Sequence, residues 1–152
     1  MFKEYGIKCT SYMVGQALLM NPEVGKWLMR EGSEVASHGW RWVDRGSWTE
    51  EEEMDNVRKA VQGALFRVDV FIVGLMITVL AIEEVTGEPP RGWYYGMVQS
   101  KAGARSRALV AKVYKEMGIP LKYYSDDYSD DLPHWIPMPG DEKEGLLIVP
   151  YA

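Results

Sequence analysis

Three stretches of this 152-residue chain hold most of the residue types that could do chemistry. The first, Ser33-Glu34-Val35-Ala36-Ser37-His38-Gly39-Trp40-Arg41-Trp42, puts an imidazole at the end of a short strand-like run. Strand ends are where α/β barrels gather catalytic groups, although a lone histidine there is more often structural. The second, Arg91-Gly92-Trp93-Tyr94-Tyr95-Gly96, sets an arginine before an aromatic run. Arg91 could touch a substrate or could pair with an acid such as Asp126, and both readings stand. The third, Tyr124 to Trp135, carries Asp126, Asp127, Asp130 and Asp131. These carboxylates could make Asx turns or polar substrate contacts. Their spacing lacks the glycine and terminal glutamate of a calcium-binding EF-hand loop. Trp40, Trp93, Tyr94 and Tyr95 are suited to an apolar cleft wall for a flat heterocycle or a sugar ring.

The elements that must position these groups alternate. Residues 7–14 read as a strand, rich in β-branched and aromatic side chains, and residues 33–38 as a second short strand. Asn21-Pro22-Glu23 starts a helix with Asn as N-cap and Pro in the first turn, and Gly32 stops it. Thr49-Glu50-Glu51-Glu52 is a capping box opening a second helix, whose glutamates complement the helix dipole and form a solvated face rather than a metal site. A strand patch follows at residues 92–95, a helix at 104–117 ending at Gly118, and strands at 121–125 and 146–149. His134 beside Trp135 reads as loop packing, and Cys9 as a core-strand residue without a catalytic role. Strand–helix alternation predicts an α/β fold with a mainly parallel sheet.

Composition narrows the function classes. A net charge of −5 and a pI near 5.1 argue against nucleic acid, whose phosphates call for clustered Lys and Arg. One cysteine cannot close an intramolecular disulfide. The N-terminus carries no apolar signal-peptide core, so a cytoplasmic location is expected. The chain opens almost directly on a strand and ends on one, which suggests cut sheet edges and hence a fragment of a larger fold. A homo-oligomer is compatible with such edges.

The charge-free run from Val70 to Ile82 is the other oddity. As a helix it would span about 20 Å, short of the roughly 30 Å of a bilayer core, so no membrane span is expected. Removing Gly63 to Leu80 joins Gln62 to Ala81. It also brings Val57, Val61, Ile82 and Val85 into one helical stripe. These eighteen residues therefore read as a non-native or lineage-specific insert; eighteen in-frame codons would suit a translated short intron of a eukaryotic gene.

The Ser33–Trp42 stretch resembles the second motif of the polysaccharide deacetylase (NodB-homology) family, where a His-x-x-x-His pair binds a divalent metal. Arg91 to Gly96 is similar to the family's third motif. Gly39-Trp40-Arg41-Trp42, the Tyr124–Trp135 segment and Val149-Pro150-Tyr151 resemble its allantoinase-like branch. The similarity covers most of residues 1–62 and 81–152. It implies a partial distorted (β/α) barrel lacking its first and last elements. It also implies hydrolysis of a non-peptide carbon–nitrogen bond, in a small ureide or an N-acetylated sugar. Catalytic roles follow for His38 and Arg91, and substrate contacts for Trp40, Trp42, Trp93, Tyr94, Asp126 and Asp130. The family often uses zinc, but Trp42 stands where the second histidine would be and the aspartate-rich first motif is absent, so no metal or other cofactor is expected. Alternatives are a chitin or peptidoglycan N-deacetylase and a catalytically dead carbohydrate-binding module.

The run from Val70 to Leu80 has high β-propensity and no charge, a pattern that promotes aggregation. A chain lacking residues 63–80 is expected to be more soluble and to unfold at a higher temperature than the chain given. Sedimentation and thermal melts of the two compare them directly, and mature transcripts that keep those codons would count against an intron.

Overall fold

The computed structural model describes residues 2–62, 82–95 and 103–151; the stretch Gly63–Leu80 and Gly96 lie outside the described residues. The chain forms an open, mixed α/β sheet. Strands β1 (Thr10–Met13), β2 (Glu34–Ser37), β3 (Gly92–Trp93), β4 (Tyr123–Tyr124), β5 (His134–Met138) and β6 (Asp141–Ile148) lie in the order β1-β2-β3-β4-β6-β5. Every pairing is parallel except β5 with β6, a hairpin that turns at Gly140 with φ 80°. Helices α1 (Gly15–Met20), α2 (Pro22–Arg30), α3 (Glu50–Gln62), α4 (Ile82–Thr86) and α5 (Gly103–Glu116) supply the covering layer.

Local signals account for most boundaries. The Thr49 backbone N–H donates to Glu52 Oε2 at 2.8 Å and the Glu52 N–H to Thr49 Oγ1 at 3.2 Å, so the capping box forms as its sequence predicts. Asn21 does precede α2 but makes no side-chain cap; its amide donates back to the Ala17 carbonyl at 3.3 Å, because α1 runs directly into it. That helix is absent from the sequence expectation, which had a strand over residues 7–14 and no further element before Asn21. Gly15 instead opens α1, and a Cβ there would lie 3.0 Å from the Trp40 ring. Strand β5 was also unexpected. It sits at the sheet edge, where Pro137 costs no ladder hydrogen bond to a further neighbour.

Period-two alternation sorts the sheet's side chains into two faces. On one face Val35 packs with Leu18, Leu28, Ile82 and Val85. Trp93, Tyr95, Tyr124, Leu146 and Ile148 pack there with Val57 and Val61 of α3 and with Val110 and Val113 of α5. All five helices contribute to this face. Opposite it lie Thr10, Tyr12, Glu34, His38, Tyr94, Tyr123 and Ser125, a row rich in hydroxyls and aromatic rings. Glu53, expected on a solvated helix face, is instead fully buried, with Oε2 3.2 Å from Arg105. Among the described residues no helix is long and apolar enough to cross a membrane.

Gly92 pairs with Tyr123 across β3 and β4, and a Cβ at Gly92 would clash with the hydroxyl end of the Tyr123 ring. Overpacking of this kind costs about 1–3 kcal/mol. Gly92→Ala is expected to lower the urea midpoint accordingly, and Tyr123→Ala in the same background to recover part of the loss.

Candidate functional site

Parallel strands share a direction, so their carboxyl ends bring together side chains far apart in sequence. His38 follows β2 and its backbone N–H donates to the Met13 carbonyl at 2.9 Å, extending the ladder with β1. The His38 ring reaches across to β3, with Nδ1 3.0 Å from the Tyr94 carbonyl oxygen. A carbonyl can only accept, so Nδ1 carries the proton and Nε2 the lone pair. Burial pushes the His38 pKa down; the bond to Tyr94 opposes this, and the nearby Arg45 guanidinium adds to the lowering. The ring is therefore neutral at pH 7, with a basic Nε2.

Tyrosines from four segments gather around it. The Tyr94 ring lies 5.2 Å from His38, 5.1 Å from Tyr12, and stacks on Tyr151 at 5.2 Å and 28°. The Tyr94 and Tyr128 hydroxyls are 3.3 Å apart, and Tyr12 shares a 2.6 Å hydrogen bond with Ser125. Burial raises the pKa of both Tyr12 and Tyr94, and the carboxylate of Asp126 raises that of Tyr94 further, so both hydroxyls keep their protons. Behind this cluster, on the helix-covered side, Arg45 is 2% exposed. Its guanidinium lies 3.6 Å from the Tyr95 ring centroid, and Nη2 donates to the Tyr95 carbonyl at 3.5 Å.

The residues expected at the site divide. His38, Tyr94 and the half-buried Asp126 come together at the carboxyl end. Trp40 packs at the same end, against Gly15 and the core, and its backbone N–H donates to Asn56 Oδ1 at 3.2 Å. Trp42 follows on the same loop, 74% exposed. Trp93 does not line a cleft: it is wholly buried, edge-on to Tyr95 and Tyr114, because its place in β3 has the opposite phase to Tyr94. Arg91 is separated from His38. It precedes β3 at the amino ends of the strands, and its guanidinium pairs with Glu88 at 3.3 Å, not with Asp126. Asp130 accepts the N–H groups of Asp131 and Leu132 at 2.7 and 3.3 Å, the turn geometry of an exposed loop. Sequence reasoning missed Tyr12, Ser125, Tyr128, Tyr151 and Arg45. Only the strand phase of residues 7–14 could have singled out Tyr12.

The divalent metal that the family resemblance implies does not suit the side chains present. Structural and catalytic zinc sites use at least three protein ligands. Here His38 offers one nitrogen, indole stands at position 42, and among the described residues no three His, Cys, Asp or Glu side chains converge.

The open, helix-covered and mainly parallel sheet places the chain among α/β proteins. Similarity makes the class specific. The polysaccharide deacetylase family model matches residues 1–65. The chain is 33% identical over 160 aligned residues to a Schizosaccharomyces pombe (strain 972 / ATCC 24843) protein named "Putative polysaccharide deacetylase", covering all of this chain and 43% of that protein. Puue allantoinase superposes with a TM-score of 0.72 at 30% identity, over 99% of this chain and 41% of that one. A "probable Polysaccharide deacetylase" from Pseudomonas aeruginosa PAO1 gives 0.71 at 30% identity, over 99% and 41%. Over residues 1–65 the chain matches the polysaccharide deacetylase family, and it spans less than half the length of these relatives.

A ring whose pKa is lowered on folding contributes stability above the ordinary value near 6.5, and loses it as pH falls through the lowered folded value. The stability difference between the wild type and His38→Gln is expected to shift against the wild type between pH 7.5 and 5. Urea unfolding of both proteins across that range measures it.

Proposed function

We propose that the protein carrying this chain hydrolyses a non-peptide carbon–nitrogen bond in a small ureide of the allantoin type, with His38 as general acid–base and without a metal held through His38. The observation that carries this reading is the Nδ1–H tautomer fixed by the Tyr94 carbonyl, which leaves Nε2 basic beside a wall of tyrosines. The likeness to an allantoinase structure supports it, as does Trp42 in place of a second imidazole.

The reaction would run as follows. Nε2 takes a proton from water while the water oxygen bonds to the amide carbon, and the carbonyl becomes an oxyanion. The protonated Tyr12 and Tyr94 hydroxyls are donors suited to such a charge. Collapse of the intermediate breaks the carbon–nitrogen bond, and Nε2–H returns its proton to the departing nitrogen. For a ring amide the product is one opened molecule that carries a carboxylate at one end and the protonated nitrogen at the other. Stacked tyrosines suit a flat ring better than a bulky saccharide chain.

A second reading is an N-deacetylase of chitin or peptidoglycan, favoured by the names of two relatives and by the exposed indole of Trp42, which could stack on a sugar. Incubation with allantoin or with chito-oligosaccharide, before and after chelator dialysis, separates the readings. Ureide loss that survives dialysis, in protein without stoichiometric metal by elemental analysis, is expected. His38→Ala should lower turnover by about 10²–10⁴-fold with little change in far-UV circular dichroism. Metal-dependent acetate release would favour the deacetylase, and binding of oligosaccharide without acetate release a carbohydrate-binding module. Unchanged turnover in His38→Ala would remove the histidine from the chemistry.

A further inference from the structure

Arg107 lies on α5, outside every motif that the sequence singles out. Its Nη2 lies 2.7 Å from Asp127 Oδ2, in a pair whose side chains are only 22% and 13% exposed, and its guanidinium lies 5.3 Å from the Tyr124 ring centroid. Asp127 is a junction. Its Oδ1 accepts the Ser129 N–H at 2.8 Å, and its backbone carbonyl accepts the Tyr151 N–H at 3.0 Å. Burial works against the Asp127 carboxylate, yet the bonds from Ser129 and Arg107 outweigh it and hold the pKa below the usual range. One residue thus ties a helix to the loop after β4 through its carboxylate, and to the segment after β6 through its backbone carbonyl.

Both tied segments deliver a ring to the site. Tyr128 follows Asp127 and brings its hydroxyl to that of Tyr94, while Tyr151 stacks on the Tyr94 ring. Tyr128 and Tyr151 also meet, with centroids 5.8 Å apart. Neither segment is part of a regular element at that point, so the strand ladder alone does not fix these rings. An exposed ion pair would contribute little, but this pair is shielded and braced on both sides.

We propose that Arg107 is a positioning residue for the site: through Asp127 it holds Tyr128 and Tyr151 against Tyr94, and so sets the ring wall that a flat substrate meets beside His38. The substrate half rests on the function proposed above; the positioning half does not.

Amide hydrogen exchange tests the positioning half without any substrate. In Arg107→Met, exchange at Ser129 and Tyr151 is expected to rise about tenfold or more, while His38 and Glu34, bonded within the β1–β2 ladder, stay within about twofold. Arg107→Lys should restore part of the protection. Asp127→Asn, which keeps the side chain's shape, carries the same test where Arg107→Met fails to fold. Unchanged exchange at Tyr151, or an equal rise across the whole sheet, would overturn the proposal. With the ureide as substrate, Arg107→Met should raise KM about tenfold and change kcat by less than about threefold. An unchanged KM alongside raised exchange at Tyr151 would overturn the substrate half. A wild type that turns over no ureide would count against the proposed function, while the exchange pattern still decides the role of Arg107.

Discussion

Because a carbonyl oxygen has no proton to give, the hydrogen bond between the His38 ring and the Tyr94 backbone settles more than the position of one side chain. It selects a tautomer, directs the lone pair to Nε2, and joins β2 to β3 beyond the single registered pair Ser37–Trp93. The same stretch of β3 puts the Tyr94 ring on the site face and the Trp93 and Tyr95 rings on the core face. Disturbing the core face would therefore move the carbonyl that holds the imidazole. Packing and chemistry are coupled through two residues of backbone.

That coupling explains what could and could not be read from sequence. Signals confined to a few residues were legible: the Thr49–Glu52 box, the stops at Gly32 and Gly118 with φ 71° and 67°, and a histidine at the end of β2. Which end of a strand a residue occupies is legible only once the strand's limits are known. Arg91 lies just before β3, at the amino end, and parallel pairing puts it at the other end of the strands from His38. Phase is equally demanding. The run Trp93-Tyr94-Tyr95 offers three aromatic rings, and alternation gives only the middle one to the site.

The aromatic wall was harder still, because it is assembled from a strand near the beginning of the chain, the start of the loop after β4, and the residues after β6. Tyr12 and Ser125 are joined over 113 positions of sequence by one hydroxyl contact. No local pattern marks such a pair, and a tyrosine in a strand is as suited to a core as to a cleft. The sheet order β3-β4-β6 brings those segments side by side, and that order depends on the β5–β6 hairpin, which puts β6 next to β4.

Buried charge behind the wall carries the coupling one step further. Glu53 and Arg45 both lie beside Tyr95, and each leaves one polar atom without a hydrogen bond. Charges left partly unpaired in an interior cost stability, and apolar residues of similar volume often serve the fold as well or better. Arg45 makes no ion pair among the described residues; it rests on the Tyr95 ring and carbonyl, on the loop that begins at His38. Its field reaches His38 and disfavours the imidazolium, reinforcing what burial already does. A buried guanidinium that helps keep the neighbouring imidazole neutral is better understood through the site than through the core. By lowering the pKa it keeps the Nε2 lone pair free at pH 7, and by the same field it makes that nitrogen a weaker base.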